Sequence, residues 1–161
     1  MPIITPYHTN PAVDGRQSET AMEIRSGIFS GLAETGITFL PEFSLPGGRR
    51  ADLIGLDQKG LIIIIEIKSS VADFNADQKW PEYKSLSDRF YFASHPSVPQ
   101  DIFPSGEGFI LADRFGCEIL REGATRKLAP ATRKSLTLKI ARAASARLQT
   151  VVEASTNLDL N

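Results

Sequence analysis

The sequence predicts one mixed α/β domain, a central β-sheet flanked by helices. Three observations predict it. The chain has 161 residues, a size suited to one domain with a substantial core. Segments with helical spacing alternate with segments of strand character along its length. One run, Leu61 to Ile65, is wholly apolar and strand-sized, as expected of a central strand buried on both faces.

The elements follow in order. Residues 1–17 contain Pro2, Pro6, Pro11 and Gly15, which break any regular pattern, and are expected to form a loose arm. They hold no basic stretch followed by an apolar core, so no signal peptide is read there. From Ser18 to Thr35, Ala21, Ile24, Ile28 and Leu32 recur at three- and four-residue spacing. That predicts an amphipathic helix capped by Ser18 and stopped by Gly36. Ile37 to Leu45 alternates loosely and reads as a strand interrupted by Pro41. Pro46-Gly47-Gly48 is turn chemistry, and Arg50 to Leu56 is a second strand. The tight turn Asp57–Gly60 leads to the third strand, Leu61 to Lys68.

Ser69 to Asp77 reads as a connection into a helix near Gln78 to Ser87, whose first turn must hold Pro81. Arg89 to Ala93 has strand character. Pro96, Pro99, Pro104 and Gly106 then mark a long irregular connection. Gly108 to Ala112 and Cys117 to Arg121 read as a hairpin. A last helix is expected from Ala129 to Val152, with Leu136, Ile140, Ala143, Ala144, Leu148 and Val151 as its buried stripe. Arg147 falls inside that stripe, where it either snorkels or pairs with a buried acid. The domain is thus expected to span 18–153, with 154–161 as a frayed tail.

No apolar run is long enough for a membrane-spanning helix. A single cysteine, Cys117, allows no internal disulfide and fits a reducing cytoplasm. His8 and His95 lie far apart, so zinc chemistry is not expected, and any metal would be a hard ion on oxygen ligands. The net charge of −1 is unevenly spread. Seven basic residues and no acidic one lie between Arg126 and Arg147, leaving −8 on the rest. A phosphate-facing surface and a solvated helix face both fit that asymmetry.

The chemistry-bearing constellation sits at the end of the apolar strand. Side chains alternate along a strand, so Glu66 and Lys68 share a face with Ile62 and Ile64. Two charges there are costly without partners or a metal. Asp52, on the preceding strand, comes to the same end if the two strands pair through the Asp57–Gly60 turn. Asp52 and Glu66, with the Ile67 carbonyl, could then hold a hard divalent cation, Mg²⁺ or Mn²⁺. Lys68 would either orient a metal-bound water or stabilise charge on a phosphate. The same three side chains also fit a plain ion-pair cluster where a buried strand meets water.

Gly48-Arg49-Arg50-Ala51-Asp52 followed by Glu66-Ile67-Lys68-Ser69-Ser70 resembles the core of the PD-(D/E)XK, restriction-endonuclease-like nucleases. Asp73-Phe74, the Asp77–Tyr83 string, Arg89–Ala93, the Gly108–Glu118 hairpin and the Arg133–Ala144 helix are similar to MmcB-family DNA repair proteins. The likeness runs from about Ser18 to Leu148. It implies a restriction-endonuclease-like mixed sheet, a role in DNA repair, and DNA and other repair proteins as partners. It carries onto this chain Asp52 and Glu66 as metal ligands and Lys68 as the catalytic lysine. Hydrolysis by a metal-activated water would leave 5′-phosphate and 3′-hydroxyl ends. The alternative is a non-catalytic DNA- or partner-binding module on the same fold. Nuclease relatives add residues from neighbouring elements, and Asp77, Gln78, Lys79 and Tyr83 are the matching candidates, with Glu23 or Glu42 as a further acid.

Among other features, Trp80 and Tyr83 read either as base-stacking aromatics or as core. Arg49 and Arg50 read as phosphate grips, or Arg50 as the neutraliser of Asp52 or Glu42. Asp73 and Asp77 read as helix caps. Lys79, Lys134, Lys139 and Arg142 complete the expected nucleic-acid contacts.

Overall fold

The computed structural model describes residues 17–159, so the expected arm falls outside it apart from Gln17. The sheet has six strands in sequence order: β1 (Thr38–Ser44), β2 (Arg50–Leu56), β3 (Ile62–Lys68), β4 (Arg89–Ser94), β5 (Gly108–Asp113) and β6 (Gly116–Arg121). β3–β4 and β4–β5 are parallel and the other pairs antiparallel, so the sheet is mixed. Every residue of β3 is buried, as expected of a central strand.

Alternation along β3 divides the core. Ile63, Ile65 and Ile67 join Leu53, Tyr91, Ala93 and Ile110 against helix α1 (Glu19–Gly31), which offers Ile24 and Ile28. Ser18 caps α1 as the sequence predicts, its Oγ accepting from Ala21 N at 3.1 Å. The last turn of the expected helix tightens into a 3₁₀ segment, Ala33–Thr35, and Gly36 turns the chain at φ 76°. α1 lies close to the β5–β6 hairpin because Gly27 has no side chain there. A Cβ on Gly27 would stand 1.9 Å from the Asp113 carbonyl oxygen.

The opposite face carries Ile54, Ile62, Ile64, Phe90, Phe92 and Phe109. Above them lie α2 (Val71–Ala76), α3 (Pro81–Lys84), the 95–107 connection and the first half of α4 (Pro130–Asp159). Phe74, Phe92, Phe103, Phe109 and Trp80 pack edge-on or tilted in one cluster. Trp80 and Tyr83 therefore belong to the core. Each buried isoleucine or phenylalanine contributes roughly 2 kcal/mol.

Three expectations need correction. The stretch read as a connection followed by one helix is two short helices. Ser70 caps α2, its Oγ accepting from Asp73 N, while Asp73 accepts from Ser69 N in return. Asp77 is extended and breaks the path, and Pro81 opens α3, which runs only four residues. At the C-terminus, α4 continues to Asp159, through residues expected to fray. Finally, only part of its expected stripe is covered. Leu136 and Ile140 are buried and Ala143 is partly so, but Ala144 is exposed and Leu148 and Val151 are 64% and 55% exposed. Among the described residues Arg147 forms no ion pair, though the Glu42 charge favours it. It donates to the carbonyls of Pro41 and Glu42, capping the outer edge of β1.

Candidate functional site

The β2–β3 pairing ends at Leu53 opposite Ile65, which places Asp52 beside Glu66 one step further along. There the carboxylates take over from the backbone ladder. Asp52 Oδ2 accepts from Ile67 N at 2.8 Å, and Glu66 Oε1 accepts from Asp52 N at 3.3 Å. The two acids are therefore laced together across adjacent strands, each held by the other's segment.

Lys68 is 3% exposed, with Nζ 3.4 Å from Asp77 Oδ2 and 3.7 Å from Glu66 Oε2. Its own carbonyl accepts from Ser94 Oγ at 2.7 Å, fixing the end of β3 against β4. Strand alternation thus brings Asp52, Glu66 and Lys68 to one place, as the sequence predicts.

These groups line a cleft of about 430 Å³, together with Glu42, Arg50, Asp73, Asp77 and Tyr83. Five carboxylates face two cations in it, so the lining carries an excess of negative charge. Burial pushes the Asp52 carboxyl up to about 7, helped by Glu42 and Asp73 and opposed by the Ile67 N–H and Lys68. Burial, then the Asp52 charge, raises Glu66 well above the usual carboxylate range. Asp77 goes the other way. Burial works to raise it, but the Lys79 N–H and Lys68 together hold it below its ordinary value. A site with two charge-poor carboxylates beside one lysine can accept a further positive charge.

Glu42 joins the cleft from β1, buried and at φ 51°, an unusual conformation for a residue with a side chain. Its carboxylate accepts from Gln17 and lies 2.6 Å from Arg50 Nε. Arg50 therefore neutralises Glu42 and not Asp52. Tyr83 donates its hydroxyl to the Arg50 carbonyl at 3.2 Å, and burial raises its phenol far above the ordinary value.

The structure separates the remaining candidates. Glu23 lies outside the cleft lining, with Oε2 3.8 Å from His95 Nε2. Gln78 turns away and donates to the Phe74 carbonyl. Lys79 is exposed beyond the lining, and Arg49 forms a two-point pair with Glu82 on α3. Lys134, Lys139 and Arg142 are exposed on α4. At 100° per residue Lys134 and Arg142 fall on the side of the helix away from Leu136 and Ile140, while Lys139 flanks the buried face. Asp73 and Ser69 enter the lining unforeseen. Their signal was present in Ser70-Val71-Ala72-Asp73, a capping box that announces a helix start and turns Asp73 back toward the strand end.

The family model for MmcB-like DNA repair proteins matches residues 8–155. The chain belongs to the MmcB-like DNA repair protein family. The solved structure of a protein of unknown function from Silicibacter pomeroyi is similar at 37% identity with a TM-score of 0.82. The match covers 86% of this chain and 95% of that one. A repair endonuclease from Pyrococcus abyssi is similar over 52% of this chain and 41% of its own, at 19% identity and a TM-score of 0.37. At that distance the likeness bears on neither mechanism nor substrate. No curated protein gave a significant match. Family membership supports a DNA repair role, and among the described residues no helix is long and apolar enough to cross a membrane.

Proposed function

We propose that this protein is a divalent-metal-dependent deoxyribonuclease of the PD-(D/E)XK type acting in DNA repair. The observation that carries the reading is the interlocked pair of Asp52 and Glu66, both short of negative-charge stabilisation, with Lys68 beside them.

The donor set fits a hard cation. Among the described residues no group of three or more acidic, histidine or cysteine side chains is arranged to enclose an ion. Asp52, Glu66 and the Ile67 carbonyl would leave several positions to water, which suits Mg²⁺ or Mn²⁺ better than a metal needing an all-protein cage. Bound there, the ion would activate a water and offset charge on the scissile phosphate.

The chain's own residues do the rest. Lys68 holds a buried positive charge at the cleft, steadied between Asp77 and Glu66, where it can face a phosphate oxygen. Tyr83 anchors the backbone at Arg50, and the Glu42–Arg50 pair closes the β1 side. Lys79, beyond the cleft, and the exposed Lys134, Lys139 and Arg142 are available for phosphate contacts, while Arg49 and Arg50 would have to share theirs with Glu82 and Glu42.

The decisive experiment incubates the protein with single-stranded, duplex and branched DNA and Mn²⁺, alongside Glu66→Ala and Lys68→Ala variants. Metal-dependent cutting that disappears in both variants supports the nuclease. DNA binding without cutting, unchanged in Lys68→Ala, assigns the protein instead as a non-catalytic binding module.

A further inference from the structure

A second groove lies at the other end of β3. It has a volume of about 540 Å³, runs between α3 and the segment leading into α4, and is lined by Lys84, Ser85, Ser87, Arg126, Lys127 and Thr132 among others. No carboxylate lines it. The acids nearest to it are already engaged. Glu107 pairs with Lys84 at 2.6 Å. Asp88, whose side chain is fully buried, is gripped at both oxygens by Arg133 and accepts from Ile62 N and Leu128 N.

That leaves Arg126 and Lys127. Both are exposed, and among the described residues neither side chain has an ion-pair or hydrogen-bond partner. Their backbone is nonetheless fixed, because Arg126 N donates to the Asp88 carbonyl at 2.8 Å and Leu128 N to its side chain at 2.9 Å. Two cations on an anchored segment, with Glu107, Asp88 and Glu82 already paired to Lys84, Arg133 and Arg49, form a positive site open to an external anion.

The groove and the acidic cleft share one wall. Tyr83 of α3 lines the cleft, while Pro81, Lys84 and Ser85 of the same segment line the groove. The two sit at opposite ends of β3, which rises roughly 20 Å over its length. We propose that the groove is a phosphate-binding subsite for the DNA backbone, holding the strand about six base-pair steps from the position at the cleft. An acidic protein surface would need no such spacing. The proposal rests on DNA as the cleft's substrate, and its test is made without metal or turnover so that the two readings fail separately.

The experiment measures binding of labelled 6- and 30-nucleotide DNAs, single-stranded and duplex, by fluorescence anisotropy in EDTA across a salt series. The protein carries Glu66→Ala throughout. Arg126→Glu with Lys127→Glu is compared with Arg126→Gln with Lys127→Gln, and with Arg114→Glu at the tip of the β5–β6 hairpin as a control. For the 30-mer, charge reversal is expected to weaken binding about tenfold or more and to lower the salt-dependence slope by about two. The glutamine pair should fall between, and the 6-base-pair duplex, too short to reach from cleft to groove, should respond less. Affinity and slope equal to those of Arg114→Glu would overturn the proposal. So would tight binding of polyglutamate, lost on charge reversal, with DNA binding unchanged.

Discussion

Replacing Asp52 with Asn isolates the electrostatic cost of the acidic cleft. In the unfolded chain this carboxyl gives up its proton near its ordinary value of 3.8, whereas in the folded protein it keeps it until about 7. Between those pH values the folded state binds the extra proton, so wild-type stability must fall as pH rises through the window. The full difference corresponds to about 4 kcal/mol at pH 8. Asp52 retains partial access to solvent, which screens the charge and brings the expected cost to roughly 2 kcal/mol. Asn keeps an oxygen for the Ile67 N–H and removes the charge that also burdens Glu66. Urea unfolding in EDTA at pH 5 and pH 8 measures the effect. The variant should exceed wild type by roughly 1 kcal/mol at pH 5, where the unfolded carboxyl is already largely ionised, and by roughly 2 kcal/mol at pH 8. A variant less stable than wild type at pH 8, or a gap that does not widen with pH, would refute the reasoning. Under the proposed function, Mn²⁺ should close the gap by stabilising wild type alone.

Other outcomes follow from the fold. Asp88→Ala strands the Arg133 guanidinium and two backbone amides, so urea unfolding should show a loss of about 3–5 kcal/mol. Gly27→Ala drives a methyl into the Asp113 and Gly116 carbonyls, and the melting temperature should drop by several degrees, with the β5–β6 hairpin amides exchanging faster. Tyr83→Phe removes one hydrogen bond to the Arg50 carbonyl and should cost about 1 kcal/mol by chemical denaturation, leaving far-UV circular dichroism unchanged.

The legible features were those with local causes. Hydrophobic periodicity marked α1, the isoleucine run marked β3 as central, and the Asp57–Gly60 turn dictated the β2–β3 pairing. Alternation alone then put Glu66 and Lys68 on one face, and the pairing brought Asp52 to them. On α4 the errors came where the core stops covering the helix; the other came where short elements are decided by contacts. A six-residue helix and a four-residue helix carry too few turns for a period to show, and they persist because Phe74 and Tyr83 bury against β4.

The sequence by itself determined the α/β class, the central strand and the company of Asp52, Glu66 and Lys68, because strand geometry and a tight turn act over a few residues. Only the tertiary structure decided which distant charges meet. It set Arg50 on Glu42, Arg49 on Glu82, Arg133 on Asp88 and Lys68 on Asp77, and it kept Glu23 and Gln78 out of the cleft. Ion pairs carry no sequence period, and their partners are selected by which elements the core packs side by side.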